Sequence, residues 1–314
     1  MNFESRVLPE LRATLEQLPP LDLPNDLQLF RGVPVQEVEK SPHVATRTQM
    51  ISGPASNLLL KIYEPVNRTG TALPALLWIH GGGYVLGHPD SDDALCERFV
   101  LDTQCVVVSV DYRLAPEHPY PAAIDDCYAA LKWMASASEL NIDITRLAVA
   151  GASAGGGLTA ALSLMARDQG GPAISFQMPL YPMIDDRNVT ASSHEISTNR
   201  AVWNRDNNRA AWSMYLGEHA SGTISPYAAP SRAESYAGLP PTYTCVGQLD
   251  PFRDETIEYV ARLAQAGVEV EFQMYPGCFH AFELAAPQAE VSKRASKAYV
   301  DALNRALNPQ NMQG

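Results

Sequence analysis

The sequence predicts an α/β protein with a mostly parallel β-sheet and helices on both faces of the sheet. Two observations predict this class. Short apolar runs, such as "LPALLWIH" (73–80) and "CVVVSVDY" (105–112), alternate along the chain with helical patterns, an order typical of a parallel sheet with helical crossovers. Each run is apolar at consecutive positions, as expected for a strand buried on both faces.

The strands are predicted from apolar runs that are bounded by polar residues, glycine or proline. Two extended segments, 44–51 and 57–65, precede the alternating region. Within that region strands are expected at 73–80, 105–112, 146–151, 174–182, 240–247 and 268–276.

The helices are predicted from apolar residues at helical spacing and from start and stop signals. The helix at 91–103 starts with Ser and Asp, and the helix at 255–267 ends at Gly267. Further helices are expected at 3–17, 122–138, 154–169, 200–217 and 288–307. The helix at 200–217 lies in a stretch without a strand pattern, 185–225, which is expected to form an insertion over the strand ends.

Composition excludes several classes of function. The 314 residues are 46% hydrophobic and 18% charged, with a net charge of −12 and no basic tract, so nucleic acid is not an expected partner. The acidic N-terminus does not resemble a signal peptide, and no apolar run is long enough to span a membrane. The odd number of widely spaced cysteines, five, indicates free thiols in a reducing cytoplasm.

Ser153 is the candidate nucleophile. The stretch "GASAG" (151–155) matches G-x-S-x-G and lies between an apolar strand and a helix rich in Ala and Leu. In that context the pattern is typical of a sharp turn that exposes a serine hydroxyl beside the N-terminus of a helix. Alone, the pentapeptide is equally compatible with a plain turn of small residues.

A serine hydroxyl requires a base and an orienting acid, and in this architecture they follow it in the order acid, then histidine. Three histidines follow Ser153, and of these His280 comes after the last strand, where active sites of parallel sheets form. The other two, His194 and His219, flank the helical insertion.

Asp250 is the candidate acid, because it follows a strand end directly. Asp254 and Glu255 are the alternatives, and both are interpreted as residues of a helix start, where acidic side chains are favoured.

Backbone donors for a tetrahedral oxyanion are predicted in "WIHGGGYVLG" (78–87). Consecutive glycines after a buried strand expose N–H groups, so Gly82 and Gly83 are the expected donors, joined by the N–H of Ala154. The alternative is a merely flexible loop. His80 is expected to hold this loop rather than to titrate in a reaction.

Together these residues resemble a known family, the hormone-sensitive-lipase family of α/β-hydrolases and in particular its bacterial carboxylesterases. The motifs that carry the resemblance are "HGGGYVLG", "VSVDYRLAPEHPYPAAIDD", "VAGASAGGGL", "LYPMIDD", "QLDPFRDE" and "YPGCFHAFE". The resemblance implies an α/β-hydrolase fold with an eight-stranded sheet and a helical cap. It assigns 1–43 and 185–225 to the cap, and 44–184 and 226–314 to the catalytic core.

The resemblance also implies hydrolysis of short- to medium-chain carboxylic esters, with Ser153, Asp250 and His280 as the catalytic residues. Gly82, Gly83 and Ala154 would form the oxyanion hole. The substrate would be a small-molecule ester, neither a metal nor an organic cofactor is expected, and a homodimer is plausible. An amidase or peptidase of the same fold, or a binding protein on this scaffold, are the alternatives.

The substrate pocket is the least specified part of the prediction. Candidates for its lining are the aromatic and large side chains near the glycines and in the insertion, although each could equally pack the cap onto the core: Tyr84, Trp203, Trp212, Met214 and Tyr215. Three positions depart from the family pattern, which often has Asp at Ala152, Asn at Gly157 and Gly at Ala281.

Overall fold

The computed structural model describes residues 3–23, 25–35, 39–68 and 70–309. Within these ranges one sheet of eight strands has the order β1-β2-β4-β3-β5-β6-β7-β8. β2 is antiparallel to both of its neighbours, and from β4 to β8 every pairing is parallel. The strands are β1 (Val44–Ser52), β2 (Asn57–Pro65), β3 (Leu73–Ile79), β4 (Val106–Val110), β5 (Ile142–Ala152), β6 (Phe176–Leu180), β7 (Thr242–Leu249) and β8 (Val270–Phe279). The predicted fold class is therefore confirmed.

Helices cover both faces of the sheet in the described part of the chain. They are α1 (Phe3–Arg6), α2 (Pro9–Gln17), α3 (Leu27–Arg31), α4 (Asp93–Thr103), α5 (Ala122–Ser136), α6 (Ala154–Asp168), α7 (Ala191–Glu195), α8 (Arg205–Leu216), α9 (Arg253–Gln265), α10 (Phe282–Ala285) and α11 (Glu290–Leu307). Side chains of α5 and α6 pack in the core on one face, and those of α4 and α11 pack on the other.

The continuous apolar runs of the central strands supply both cores. In β3, Leu77 and Ile79 face the core with α5 and α6, whereas Leu76 and Trp78 face the core with α4 and α11. This is the period-two alternation of a strand with two buried faces. The same geometry brings the carboxyl ends of the parallel strands to one edge of the sheet.

Element boundaries differ from the predictions in several places; the helix expected at 200–217, for example, begins at Arg205, and the strand expected at 146–151 begins at Ile142. The helix expected at 3–17 is two helices, because Pro9 restricts Leu8 to an extended conformation (φ −53°, ψ 137°). The short helices α3, α7 and α10 were not predicted. β8 continues through Pro276 and Gly277 to Phe279, so His280 follows the strand directly.

The N-terminal segment and the insertion contact each other. The side chain of Asn207 in α8 accepts a hydrogen bond from the Leu23 N–H (2.9 Å) and donates one to the Leu21 carbonyl (2.8 Å). These contacts join residues 21–23 to α8 beside the carboxyl edge of the sheet. No helix within the described ranges combines the length and apolarity needed to cross a bilayer.

Candidate active site

Ser153 occupies a strained turn between β5 and α6. Its backbone has φ 58° and ψ −116°, a conformation that costs an L-residue about 1–3 kcal/mol. Its N–H donates to the Leu180 carbonyl (2.9 Å), and its carbonyl accepts from the Met183 N–H (3.0 Å). Gly155 lets the turn pack closely, since a β-carbon there would lie 2.0 Å from the Ile79 carbonyl oxygen. The turn is therefore held from both sides and presents the hydroxyl at the sheet edge.

The side chains of Ser153, His280 and Asp250 form one hydrogen-bonded chain. His280 Nε2 lies 3.0 Å from Ser153 Oγ, and His280 Nδ1 lies 2.7 Å from Asp250 Oδ2. All three residues are at least 94% buried, and Asp250 is fully buried. A carboxylate opposite Nδ1 favours the tautomer that carries its proton on Nδ1, in which Nε2 faces Ser153 Oγ as an acceptor.

The imidazole is held in place by contacts on its other sides. The rings of Tyr181 and Phe252 stand edge-on to His280, with centroids 5.2 and 5.1 Å away. The Phe252 N–H donates to Asp250 Oδ1 (2.9 Å), so both oxygens of the carboxylate are engaged. Little freedom is left in the relative positions of His280 and Asp250.

The alternative acids and bases lie elsewhere. Asp254 accepts from the Ser192 N–H (2.7 Å) and from Arg253 Nε (2.8 Å). Glu255 is buried and accepts from the Ile184 N–H (2.9 Å). His194 and His219 are exposed on the insertion. None of these side chains is brought to Ser153.

The glycine loop presents unpaired N–H groups beside the serine. Within the described residues, the N–H groups of Gly82 and Gly83 have no hydrogen-bond acceptor, and Ala154, as the first residue of α6, has none within its helix. Gly83 has φ +62°, and a β-carbon there would lie 2.4 Å from the Trp203 ring. Glycine is therefore required at this position.

The loop is anchored through His80 and Tyr112. The Tyr112 hydroxyl donates to the His80 carbonyl (3.0 Å), and the two rings stack with centroids 4.2 Å apart. His80 Nδ1 lies 2.8 Å from the Gly81 carbonyl. Burial lowers the pKa of His80 to about 4, so this imidazole is neutral at pH 7 and serves as a donor to its own loop.

A cavity of about 400 Å³ opens above Ser153 and His280. Apolar side chains from the N-terminal segment, the glycine loop, the insertion and α10 line much of it: Leu18, Leu21, Phe30, Leu86, Val202 and Leu284. Trp203 also lines the cavity, as expected from the sequence.

The other four pocket candidates do not line this cavity, which corrects the expectation from the sequence. The ring of Tyr84 stacks on Tyr215 at 3.9 Å and contacts Trp212, and its hydroxyl donates to the Met183 carbonyl (2.7 Å). Met214 is partly buried against the same core. Tyr84 has φ +66°, a backbone conformation in which its side chain packs into the core below the glycine loop. These residues pack the insertion onto the sheet.

Asp92 lines the cavity and was missed by the sequence reasoning, which interpreted it only as part of a helix start. Its Oδ2 accepts from the indole N–H of Trp78 (2.7 Å). Burial raises its pKa to about 6. The one signal in the sequence was the double acid "DD" at 92–93, of which a helix start needs only one.

Comparison with known proteins decides the family. A family model described as "alpha/beta hydrolase fold" matches residues 76–284. Esterase LipI of Mycobacterium tuberculosis is 41% identical over 78% of this chain and 76% of its own length. The chain belongs to the hormone-sensitive-lipase family of α/β-hydrolases. Carboxylesterase NlhH of Mycobacterium tuberculosis is another relative, 39% identical over 81% of this chain and 80% of its own.

Solved structures of esterases agree over nearly the whole chain. A bacterial heroin esterase superimposes with a TM-score of 0.89 at 40% identity, covering 98% of this chain and all of its own. Esterase LipW from Mycobacterium marinum gives a TM-score of 0.86 at 33% identity, with 98% of each chain covered. The resemblance recognised in the sequence is thus confirmed.

The structure shows what surrounds the three residues that depart from the hormone-sensitive-lipase pattern. A side chain at Gly157 would meet the Met183 carbonyl at 2.1 Å and the Tyr84 hydroxyl at 2.2 Å, so asparagine does not fit here. Ala281 has φ 55°, the left-handed conformation that favours glycine. Both Ala152 and Ala281 line the cavity.

Proposed function

We propose that this carboxylic ester hydrolase works through an acyl-enzyme formed on Ser153, with His280 as general base and acid and Asp250 as the orienting acid. One observation carries the proposal. Ser153 Oγ, His280 and the fully buried Asp250 form a continuous hydrogen-bonded chain at the floor of an apolar cavity.

In the first half-reaction His280 Nε2 removes the proton from Ser153 Oγ as the oxygen attacks the ester carbonyl carbon. The imidazolium that results lies against Asp250 Oδ2, whose negative charge stabilises it. The tetrahedral intermediate then collapses. Its C–O bond to the alcohol breaks, and His280 returns the proton to the leaving alkoxide oxygen.

In the second half-reaction water takes the place of the alcohol. His280 Nε2 accepts a proton from the water as its oxygen attacks the acyl carbon. Collapse of the second intermediate releases the carboxylic acid and returns the proton to Ser153 Oγ. No redox step or external acid is needed, so the three side chains complete the cycle.

We propose that the N–H groups of Gly82, Gly83 and Ala154 stabilise the oxyanion in both intermediates. Their lack of acceptors among the described residues supports this role, because unpaired donors that are already oriented need no reorganisation during the reaction. Ala154 adds the positive end of the α6 dipole. A backbone donor of this kind is worth about 10²–10³ in kcat.

We also propose that residues 1–43 and 185–225 form a cap, and that the ester substrates have short to medium acyl chains. Leu18, Leu21 and Phe30 from the first segment and Val202 and Trp203 from the second line the cavity, which supports a shared cap. A volume of about 400 Å³ is at the small end of the usual range for small-molecule pockets, about 300–1,000 Å³.

Hydrolysis of p-nitrophenyl acetate, butyrate, octanoate and palmitate tests these proposals. We expect the highest kcat/KM at butyrate or octanoate, and loss of turnover in Ser153→Ala. A maximum at palmitate would contradict the chain-length proposal, and wild-type turnover in Ser153→Ala would contradict the acyl-enzyme. Labelling of wild type but not of Ser153→Ala by a fluorophosphonate identifies the nucleophile independently.

The same preparation separates ester from amide hydrolysis. A butyrate ester and butyramide of the same aromatic leaving group share the acyl part and differ in the bond that is cleaved. We expect kcat/KM for the ester to exceed that for the amide, in keeping with the relatives named as esterases. A preference for the amide would favour the amidase alternative.

A further inference from the structure

We propose that Asp92 selects the substrate, by binding a protonated or quaternary amine in the acyl or alcohol part of the ester. The enzyme would then prefer cationic esters to neutral esters of the same shape. This inference rests on the proposed function, since it takes the cavity above Ser153 as the ester site. It concerns the class of substrate and adds no step to the reaction.

The side chain of Asp92 does not cap helix α4, although its position favours that role. Asp92 is the last residue of the 3₁₀ helix Pro89–Asp92 and the N-cap of α4. Aspartate is among the preferred N-cap residues because its carboxylate bonds the first free N–H groups of a helix. Here no such bond is made. Oδ2 instead accepts from the indole N–H of the buried Trp78, and Asp92 itself lines the cavity.

One oxygen of Asp92 is left for a ligand. Within the described part of the chain Oδ1 has no hydrogen-bond partner, and it is not sealed in the interior. The carboxylate makes no ion pair there either. Lys61 binds the neighbouring acids Asp90 and Asp93, the latter at 2.6 Å, and so does not neutralise Asp92.

The surroundings of Asp92 favour a cation over a neutral donor. Among the described residues that line the cavity, Asp92 carries the one carboxylate, and lysine and arginine are absent. His80, on the same wall, is neutral at pH 7 because burial lowers its pKa to about 4. A carboxylate in a mostly apolar cavity binds an ammonium group more strongly than a hydroxyl, because both partners are charged and an apolar lining strengthens their attraction.

Two further properties fit this assignment. Burial raises the pKa of Asp92 to about 6, so the carboxylate is still largely ionised at pH 7 and a cation beside it would stabilise the charged form. The net charge of −12 also favours the approach of cationic over anionic esters. Asp92 is not needed to orient the base, since Asp250 already bonds His280.

Matched pairs of esters test the proposal. Butyrylcholine and 3,3-dimethylbutyl butyrate have the same shape and differ in the positive charge of the alcohol part. The p-nitrophenyl esters of 4-(trimethylammonio)butyric acid and 5,5-dimethylhexanoic acid form a second pair, which differs in the positive charge of the acyl part. The readout is the ratio of kcat/KM, cationic over neutral, for wild type, Asp92→Asn and the control Asp90→Asn.

In wild type we expect a ratio of about ten or more for at least one pair, and in Asp92→Asn a ratio about tenfold lower, which corresponds to about 1.4 kcal/mol. Asp90→Asn removes a charge two residues away, outside the cavity, and should keep the wild-type ratio. The proposal is overturned if Asp92→Asn keeps the wild-type ratio for both pairs. An equal loss on both esters of a pair would also overturn it, since that is the mark of a structural role.

A second measurement covers the case in which Asp92→Asn does not fold. In wild type, choline should inhibit hydrolysis of a neutral ester about tenfold more strongly than 3,3-dimethylbutanol, and equal inhibition would refute the role of Asp92. Failure of the proposed function itself gives a different result. Ser153→Ala would then still hydrolyse the neutral esters, whatever the ratio.

Discussion

Replacement of Asp250 by asparagine tests the proposal that Asp250 orients the general base His280. The substitution keeps the shape of the side chain and removes its charge and one acceptor. Asp250 accepts two hydrogen bonds, from His280 Nδ1 (2.7 Å) and from the Phe252 N–H (2.9 Å). An asparagine has one oxygen for these two donors, so it can satisfy only one of them.

The magnitude follows from the orientation that the amide adopts. If its oxygen faces His280, its NH₂ group opposes the Phe252 N–H, and a buried donor left without a partner costs about 1–3 kcal/mol. If its oxygen faces Phe252, its NH₂ group faces His280 Nδ1, which must become an acceptor. The proton then sits on Nε2, and the base cannot take the proton of Ser153. The second orientation satisfies every group, so we expect kcat to fall about 10⁴-fold, or about 5.5 kcal/mol.

Steady-state hydrolysis of p-nitrophenyl butyrate measures this loss, and thermal unfolding shows whether the variant is folded. Asp254→Asn is the matched control. It neutralises an acid in the first turn of α9, four residues away, whose carboxylate bonds Ser192 and Arg253, and its kcat should stay within about twofold of wild type. A folded Asp250→Asn with kcat within tenfold of wild type, or a larger loss in Asp254→Asn, would refute the assignment of the acid.

Three further substitutions have expected outcomes. Gly83→Ala should lower kcat about a hundredfold, because the new methyl group would lie 2.4 Å from the indole ring of Trp203. The control is Gly70→Ala, at a glycine that also has a positive φ (+81°) but open space around it, and it should leave kcat unchanged. Ala281→Gly should raise the free energy of unfolding by up to about 1 kcal/mol, because glycine adopts the left-handed backbone conformation at this position (φ 55°) without strain. The control Ala285→Gly, in helix α10, should lower the free energy of unfolding. Urea unfolding that reverses this order would contradict the strain argument. Burial raises the pKa of Asp92 to about 6, above its value in the unfolded chain, so its contribution to stability is lost as pH rises. Going from pH 7 to 5 should therefore stabilise wild type relative to Asp92→Asn by about 1 kcal/mol, and a change of opposite sign in urea unfolding would contradict it.

The sequence predicted well those features that depend on strand order. Apolar runs define the strands, and parallel strands end at one edge, so residues that directly follow strands must meet there. Asp250 and His280 were selected by this rule, and the structure brings both to Ser153. Their distance from the serine along the chain was no obstacle, because the topology of the sheet determines their proximity.

The direction of individual side chains could not be predicted in the same way. Tyr84 was expected in the pocket because it follows the glycines, but its positive φ turns the ring into the core. Asp92 was interpreted as a helix-start residue, and only the tertiary structure reveals that it lines the cavity while its Oδ2 bonds the buried Trp78 indole. Both outcomes depend on tertiary partners distant in sequence, which periodicity and capping rules do not include.

The carboxyls near the proposed site differ in how many of their oxygens are engaged, and this difference determines what each can do. Both oxygens of Asp250 accept hydrogen bonds, so it can orient an imidazole but has no oxygen left for a ligand. Glu283 accepts from the Tyr181 hydroxyl (2.5 Å), and its second oxygen is buried without a partner among the described residues. Burial raises its pKa, and Glu283 does not line the cavity. Asp92, which lines the cavity, combines one fixed oxygen with one that has no partner among the described residues. Asp250→Asn should therefore change turnover on every ester, whereas Asp92→Asn should change which esters are preferred.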